Sequence, residues 1–314
     1  MKKILIALLP LLSLSLLFTG CNRSDLDPNG NPKTFIVGVA NPQTSTEDIE
    51  QRFRSMEPFR KYLEAKLGVH VVFIETNSYA AVVEAFKSKK LHLASISPYP
   101  YLIARKKSNV EALIAMGAIN GSHSIYYSCI LSKKSSGLKT IGDIKANASK
   151  LTIAFGDPAS TSGHIVPKRF LIDNGIDPEK DFKNAVFSAN SLELVTSLMS
   201  GKYDLSCTTM QLFDSPIIKG KISNDSVNII SISQTIPQAP YAIRSDINPQ
   251  FKKKVQNAYI NAWKDKTAWK CILDAYSRYI KIEPDSIRFV AAEEKWYNDF
   301  EIMIKDIHGL ELPQ

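Results

Sequence analysis

The sequence predicts an α/β protein of two lobes around a cleft, on three observations. Apolar runs of strand length alternate with helix-period runs along the body, the pattern of sheets covered by helices on both faces. A chain of 314 residues, 44% hydrophobic and 22% charged, is long enough for two ordinary cores. Polar groups also gather at several strand-to-helix turns, where open α/β sheets receive their ligands.

The first twenty residues stand apart from this pattern. Lys2 and Lys3 precede the apolar run ILIALLPLLSLSLLF, which ends in Thr19, Gly20 and Cys21. A basic start, a short apolar segment and small residues before a cut predict an export signal, too short for a stable membrane span. Residues 22–34, NRSDLDPNGNPKT, are polar, aperiodic and rich in Asn, Pro and Gly, which predicts a flexible tether. The folded body begins near Phe35.

Within the body, TFIVGVAN predicts a strand and IEQRFRSMEPFRKYLEAKLG an amphipathic helix closed by Gly68. HVVFIET is a strand, SYAAVVEAFKSKK a helix, LHLASISP a strand and YPYLIARKK a helix. VEALIAMGAI and SIYYSCILSKK read as β, KTIGDIK as a short helix and KLTIAF as a strand. HIVPKRFLIDNG reads as a helix, then AVFSAN as β, SLELVTSLMSGK as a helix, YDLSCTT as a strand and QLFDSPIIKG as a helix. VNIISISQTIP returns as a strand, followed by helices from FKKKVQNAYINAW and TAWKCILDAYSRYI. Parallel-type sheets are the expected arrangement.

The turn DPASTSG, between KLTIAF and its helix, carries three consecutive hydroxyl residues, Ser160, Thr161 and Ser162. One hydroxyl would suffice to cap a helix. Three at a helix start, where backbone N–H groups and the positive dipole end are free, point to an anion. Asn41, Tyr79 and Ser97 follow other strands and supply polar groups that converge if the lobes face each other.

Composition excludes several other functions. The net charge of +8 falls to +6 once Lys2 and Lys3 leave with the signal, and the runs KSKK (87–90) and KKK (252–254) read as solvated helix faces. No basic stripe interleaved with aromatics argues for nucleic acid. Cys129, Cys207 and Cys271 are widely separated, without CxxC or histidine at ligand spacing, so neither a metal nor a cofactor is expected; they read as buried apolar residues or one disulfide. Ser160 or Ser162 as a nucleophile would need a GxSxG elbow, which is absent, as are HExxH and P-loop patterns. The chain is therefore not expected to be an enzyme; a hydrolase is the weaker alternative.

Taken in order, EPFRKYLEAKLGVHVVFIETNSYAAVVEAF, ISPYPY, SKKSSGLKTIGDIK and FGDPASTSGHIVPKRFL resemble the phosphate, phosphite and phosphonate binding proteins of ABC importers, from about Phe35 to near Ile280. The resemblance implies a type II-like periplasmic-binding-protein fold with a hinge and an interlobe cleft. Lobe 1 would hold residues 35–121, lobe 2 residues 122–234, and residues 235–314 would return to lobe 1 and add C-terminal helices. LFTGC is similar to a bacterial lipobox, which implies lipidation of Cys21 and an extracytoplasmic protein held at a membrane. The implied partners are a small oxyanion, an ABC permease and its ATPase; a membrane-tethered sensor facing a signalling receptor is the alternative.

The resemblance also implies the site. Ser160, Thr161 and Ser162 would cradle a phosphoryl group, Tyr79 would close on the same oxygens, and Tyr101 would match a second tyrosine, with Tyr99 as its rival. Where many members read Gly-Ser-His, this chain has Ala189, Asn190 and Ser191, so Ser191 replaces a histidine ligand. His164 is a possible substitute for that imidazole. Gln211 and Ala239 stand where members that take aminoalkylphosphonates carry acids, so the expected ligand lacks an amine.

Overall fold

The computed structural model describes residues 24–40, 46–76, 78–188, 190–220, 222–277, 283 and 285–305. The signal segment, Cys21, Asn41 and Ala189 lie outside the described residues. In chain order the strands are β1 (Thr34–Ala40), β2 (His70–Thr76), β3 (Leu93–Ser95), β4 (Val110–Ala118), β5 (Ile125–Tyr126), β6 (Ser128–Lys133) and β7 (Thr152–Phe155). They continue as β8 (Asn184–Phe187), β9 (Leu205–Thr209), β10 (Val227–Ile232), β11 (Ile236–Pro237), β12 (Pro240–Arg244) and β13 (Ile287–Ala291).

These strands form two large sheets and a small ribbon. The first sheet runs β13-β4-β12-β3-β1-β2, the second β10-β6-β9-β7-β8, and β11 pairs with β5. The chain leaves the first sheet after β4 and returns to it with β12, so β5 and β11 lie in the two segments that cross between lobes. Two stretches that read as single strands, SIYYSCILSKK and VNIISISQTIP, are each divided between this ribbon and the second sheet.

The sheets are mixed rather than parallel. β1, β2 and β3 run parallel, whereas β12 is antiparallel to β3 and β4, and β13 is antiparallel to β4. The physical reason is the crossing: β12 enters the first lobe from the end at which the parallel strands finish, so it must run back against them. Each sheet buries both faces. Phe35, Leu63, Ile243 and Tyr259 belong to one cluster of the first lobe, and Leu91, Ile96, Tyr101 and Phe300 to the other. The second lobe packs Ile153, Phe155 and Leu205 on one side, and Leu131, Val195 and Leu198 on the other.

Local chemistry sets the helix boundaries. The long helix expected before Gly68 is two, Thr46–Ser55 and Glu57–Leu67, because Pro58 at the second start cannot continue the first. Gly68 ends the second with φ +75°, a left-handed cap. Thr140 and Asp143 form a reciprocal capping box at the helix Ile141–Asn147.

The expected free tether, residues 22–34, is corrected from Ser24 onward, where the chain is seated on the first lobe. Asp27 closes a turn by accepting the N–H groups of Asn29 at 2.9 Å and Asn31 at 2.8 Å, and Asn248 Nδ2 donates to Asn29 O at 2.7 Å. The carboxylate of Asp25 pairs with Arg244, which is 2% exposed and also takes Asp246 at 2.9 Å. His92 Nε2 lies 3.0 Å from Asp25 Oδ2. A polar, aperiodic sequence thus becomes ordered because a buried guanidinium needs carboxylates.

This cluster predicts a pH dependence of stability. Burial, then the charge of Arg244, pushes the pKa of His92 down to about 4, against the pull of Asp25. Its Nδ1 accepts the Ile36 N–H at 3.0 Å, which fixes a neutral ring protonated on Nε2. The unfolded chain, with a histidine pKa of about 6.5, takes up a proton first, so stability falls as pH falls from about 6.5 towards 4. Over the whole window the loss is up to about 3 kcal/mol. Urea unfolding at pH 7, 5.5 and 4.5 should show this slope. His92→Asn, which keeps an acceptor for Ile36, should flatten it; an undiminished slope would assign it to other groups.

Candidate functional site

The hydroxyl turn after β7 is a built object. Gly156 N–H donates to Gly163 O at 2.8 Å, so the end of the strand and the start of the helix lie back to back. A Cβ on Gly163 would stand 3.0 Å from Gly156 Cα and 2.9 Å from Ser160 Oγ, which is why this contact requires glycine. Ser160 Oγ accepts the Gly163 N–H at 3.0 Å, and Ser160 O accepts from both His164 N and Ile165 N. The result is a π-type turn, Thr161–Ile165, leading into the α-helix Val166–Asp173. Such widened turns recur at functional sites, and the first N–H groups of a helix have no partner within it.

The first lobe meets this turn directly. Ser97 Oγ donates to Thr161 Oγ1 at 2.7 Å, and the Tyr99 N–H donates to the same atom at 2.8 Å. Thr161 is fully buried, Ser162 and Ser97 nearly so. The Tyr79 phenol lies close enough to Ser97, and the Tyr126 phenol to Ser97, Thr161 and Ser162, for these hydroxyls to act on its ionisation. Asp157 accepts the N–H of Ala159 at 2.8 Å, and the Tyr79 N–H lies near enough to favour its charged form. Ser128 Oγ donates to Ser162 O at 2.6 Å and fixes the turn from behind. Ile165 and Val166 share an apolar cluster with Ile96 and Tyr99, so the two lobes pack on each other here.

The electrostatics favour neutral donors. Burial pushes the Tyr79 pKa up to about 12, opposed by Ser97 and reinforced by Asp157. Burial raises the Tyr126 pKa further still, so both phenols keep their protons at neutral pH. Asp157 is raised by burial, against the nearby N–H groups of Ala159 and Tyr79. Hydroxyl and backbone donors, with no lysine or arginine among these contacts, can hold a tetrahedral oxyanion through its several acceptors.

The expected site residues divide into those gathered here and those placed elsewhere. Ser97, Ser160, Thr161, Ser162 and Tyr79 come together. Tyr101, expected to close on the oxyanion, is instead fully buried with its hydroxyl bonded to the Glu294 carboxylate. Glu294 is held in turn by Arg105 at 2.8 Å and by Ala112 N–H at 2.9 Å, so a carboxylate on the C-terminal helix engages that phenol. Tyr99 packs its ring in the core and contributes its N–H. Gln211 Oε1 accepts from Tyr127 N–H at 3.4 Å, beside the interlobe ribbon. Ser191 is the first residue of the helix Ser191–Ser200, which Asn190 caps. His164 donates from Nδ1 to Pro158 O at 2.7 Å and packs edge-on against Phe155 and Phe187, a structural position. Cys129, Cys207 and Cys271 are unbridged.

Tyr126 is the member that sequence reasoning missed, while Asp157, a turn residue by its place in the sequence, holds the turn through Ala159 N–H. A signal for Tyr126 was present: adjacent tyrosines in an extended stretch point to opposite faces, so one of Tyr126 and Tyr127 had to turn inward.

The sequence pattern of one family, the periplasmic phosphonate substrate-binding proteins of ABC transporters, matches residues 39–297. The chain belongs to this family. It is 26% identical over 279 residues to a probable phosphite binding protein of an ABC transporter, PhnD1 of Prochlorococcus marinus, covering 86% of this chain and 89% of the relative. It is 26% identical over 259 residues to a phosphate-import protein, PhnD of Mycolicibacterium smegmatis, covering 78% of each. The solved structure of P. marinus PhnD1 with methylphosphonate superposes with a TM-score of 0.68 at 25% identity, over 87% of this chain and 97% of that one. Membership of the family makes this protein the extracytoplasmic substrate-binding component of an ABC importer, working with a permease and an ATPase.

Proposed function

We propose that this protein captures a small phosphorus oxyanion lacking an amine, such as phosphate, phosphite or a simple phosphonate, by closing its lobes on the hydroxyl turn. The observation that carries the reading is Thr161, which sits at the lobe contact with hydroxyls and N–H groups of both lobes around it. The phosphite, phosphate and methylphosphonate of the relatives' names and structure share a phosphoryl centre, which supports the same class. The site acts by binding alone, without turnover. Isothermal titration with phosphate, phosphite, methylphosphonate and 2-aminoethylphosphonate tests it: heat is expected from at least one of the first three and none from the amine. Silence across the panel would overturn the reading, and so would turnover of phosphate esters.

In this reading Cys21 carries a lipid anchor. The LFTGC segment supports it, as does the extracytoplasmic location of the family. Cys21→Ser is expected to shift the protein from the membrane to the soluble fraction with ligand binding intact. Membrane association that survives this change at high salt would count against lipidation.

A further inference from the structure

The end of the first lobe opposite the cleft carries a feature that binding does not use. β1, β2 and β3 run parallel from this end towards the turns that hold Tyr79 and Ser97. The helices that follow β2 and β3 return to it, and each ends in basic residues: Lys87 with Lys89 and Lys90 just beyond, then Arg105, Lys106 and Lys107. β12 finishes here at Arg244, and the helix Pro249–Ile260 starts here with Lys252 and Lys253. Contacts tie the corners together: Arg244 Nη1 to Lys89 O at 3.2 Å, Ser245 N to Asn109 O at 3.0 Å, and Lys252 Nζ to Ser245 O at 3.4 Å. Lys90, Lys107 and Lys253 are exposed. Several of these cations are already paired: Lys87 with Glu84 at 3.9 Å, Lys89 with Asp246 at 3.0 Å, Arg105 and Lys106 with Glu301 at 2.6 and 2.9 Å, and Lys252 with Glu111 at 2.6 Å, while Asp25 is turned onto Arg244. The attraction therefore rests on Lys90, Lys107 and Lys253, which have no carboxylate at ion-pair distance among the described residues.

The N-terminal segment is fastened to this same end, through Asp25. Four residue steps separate Asp25 from Cys21, so whatever path they take they span at most about 14 Å. A lipid on Cys21 therefore brings this end, and no other part of the body, to the membrane. We propose that the basic end of the first lobe rests on anionic phospholipid headgroups. The proposal deepens the lipoprotein reading above and rests on it for the approach to the membrane. Each lysine near such a surface adds attraction, and salt screens it.

The test uses the chain from Asn22, which retains every described contact. It is sedimented with vesicles of phosphatidylcholine alone or with about 30% phosphatidylglycerol, a composition dense enough in charge to attract basic patches. Binding is expected only with phosphatidylglycerol, and is expected to vanish at about 0.5 M salt. The triple variant Lys90→Glu, Lys107→Glu, Lys253→Glu should bind at least about tenfold more weakly. The second-lobe triple Lys145→Glu, Lys180→Glu, Lys219→Glu should change it less than about twofold. Equal binding to both vesicle types, or equal losses in both triples, would overturn the face. The mass of the N-terminal peptide from membrane-extracted full-length protein is read separately. An acylated Cys21 supports the short leash, and an unmodified one removes it while leaving the vesicle result to judge the face.

Discussion

Gly163→Ala is expected to weaken ligand binding about a hundredfold while leaving a folded protein. The new Cβ would lie 2.9 Å from Ser160 Oγ and 3.0 Å from Gly156 Cα, and Gly156 follows the buried end of β7 and cannot retreat. The turn must move instead, taking with it the N–H groups and hydroxyls of Thr161 and Ser162. Misaligning two hydrogen bonds to an anion costs about 3 kcal/mol, which is the stated hundredfold. Overpacking of this kind costs about 1–3 kcal/mol of stability, so the melting temperature should fall by a few degrees. Titration and thermal unfolding on the same sample separate the two effects. Normal affinity in a destabilised variant would mean that the turn does not hold the ligand.

Thr161→Ala should reduce affinity tenfold to a hundredfold with little change in stability. The hydroxyl accepts from Ser97 Oγ and from Tyr99 N–H, so its removal strips a contact between the lobes as well as a donor to the anion. Hydrogen bonds to charged groups are worth about 1.5–3 kcal/mol, which sets the range. Capping of the turn survives, because Ser160 provides it. Thr161→Ser keeps the hydroxyl and should recover most of the loss. If Ala and Ser bind alike, the hydroxyl is not part of the site.

Much of this was legible in the sequence, for identifiable reasons. The alternation of strand and helix runs, Gly68 as a cap and the hydroxyl turn are local signals, and each reappears in place. The antiparallel insertion of β12 was not legible, because it follows from the chain crossing between lobes rather than from any periodicity. Residues 24–33 looked like a tether because their composition is that of a loop; groups distant in the chain, the guanidinium of Arg244 and the amide of Asn248, seat them. Tyr101 and Tyr126 show the same limit within the site. Both are tyrosines in apolar stretches, and Tyr101 is drawn away from the turn by Glu294, nearly two hundred positions from it in the chain.

The bond between Ser97 and Thr161 has a consequence for how occupancy is signalled. A ligand can shift an opening and closing equilibrium only by the difference between its affinities for the two forms. With closure as proposed above, the protein's own hydroxyls partly stabilise the shut arrangement, so the energetic gap that the ligand must supply is smaller. Apparent affinity rises for that reason. The discrimination between a loaded and an unloaded molecule narrows by the same amount, and a transporter that recognises only the shut outline would meet more idle visitors. Ser97 and Thr161 thus set a compromise between tight capture and faithful reporting.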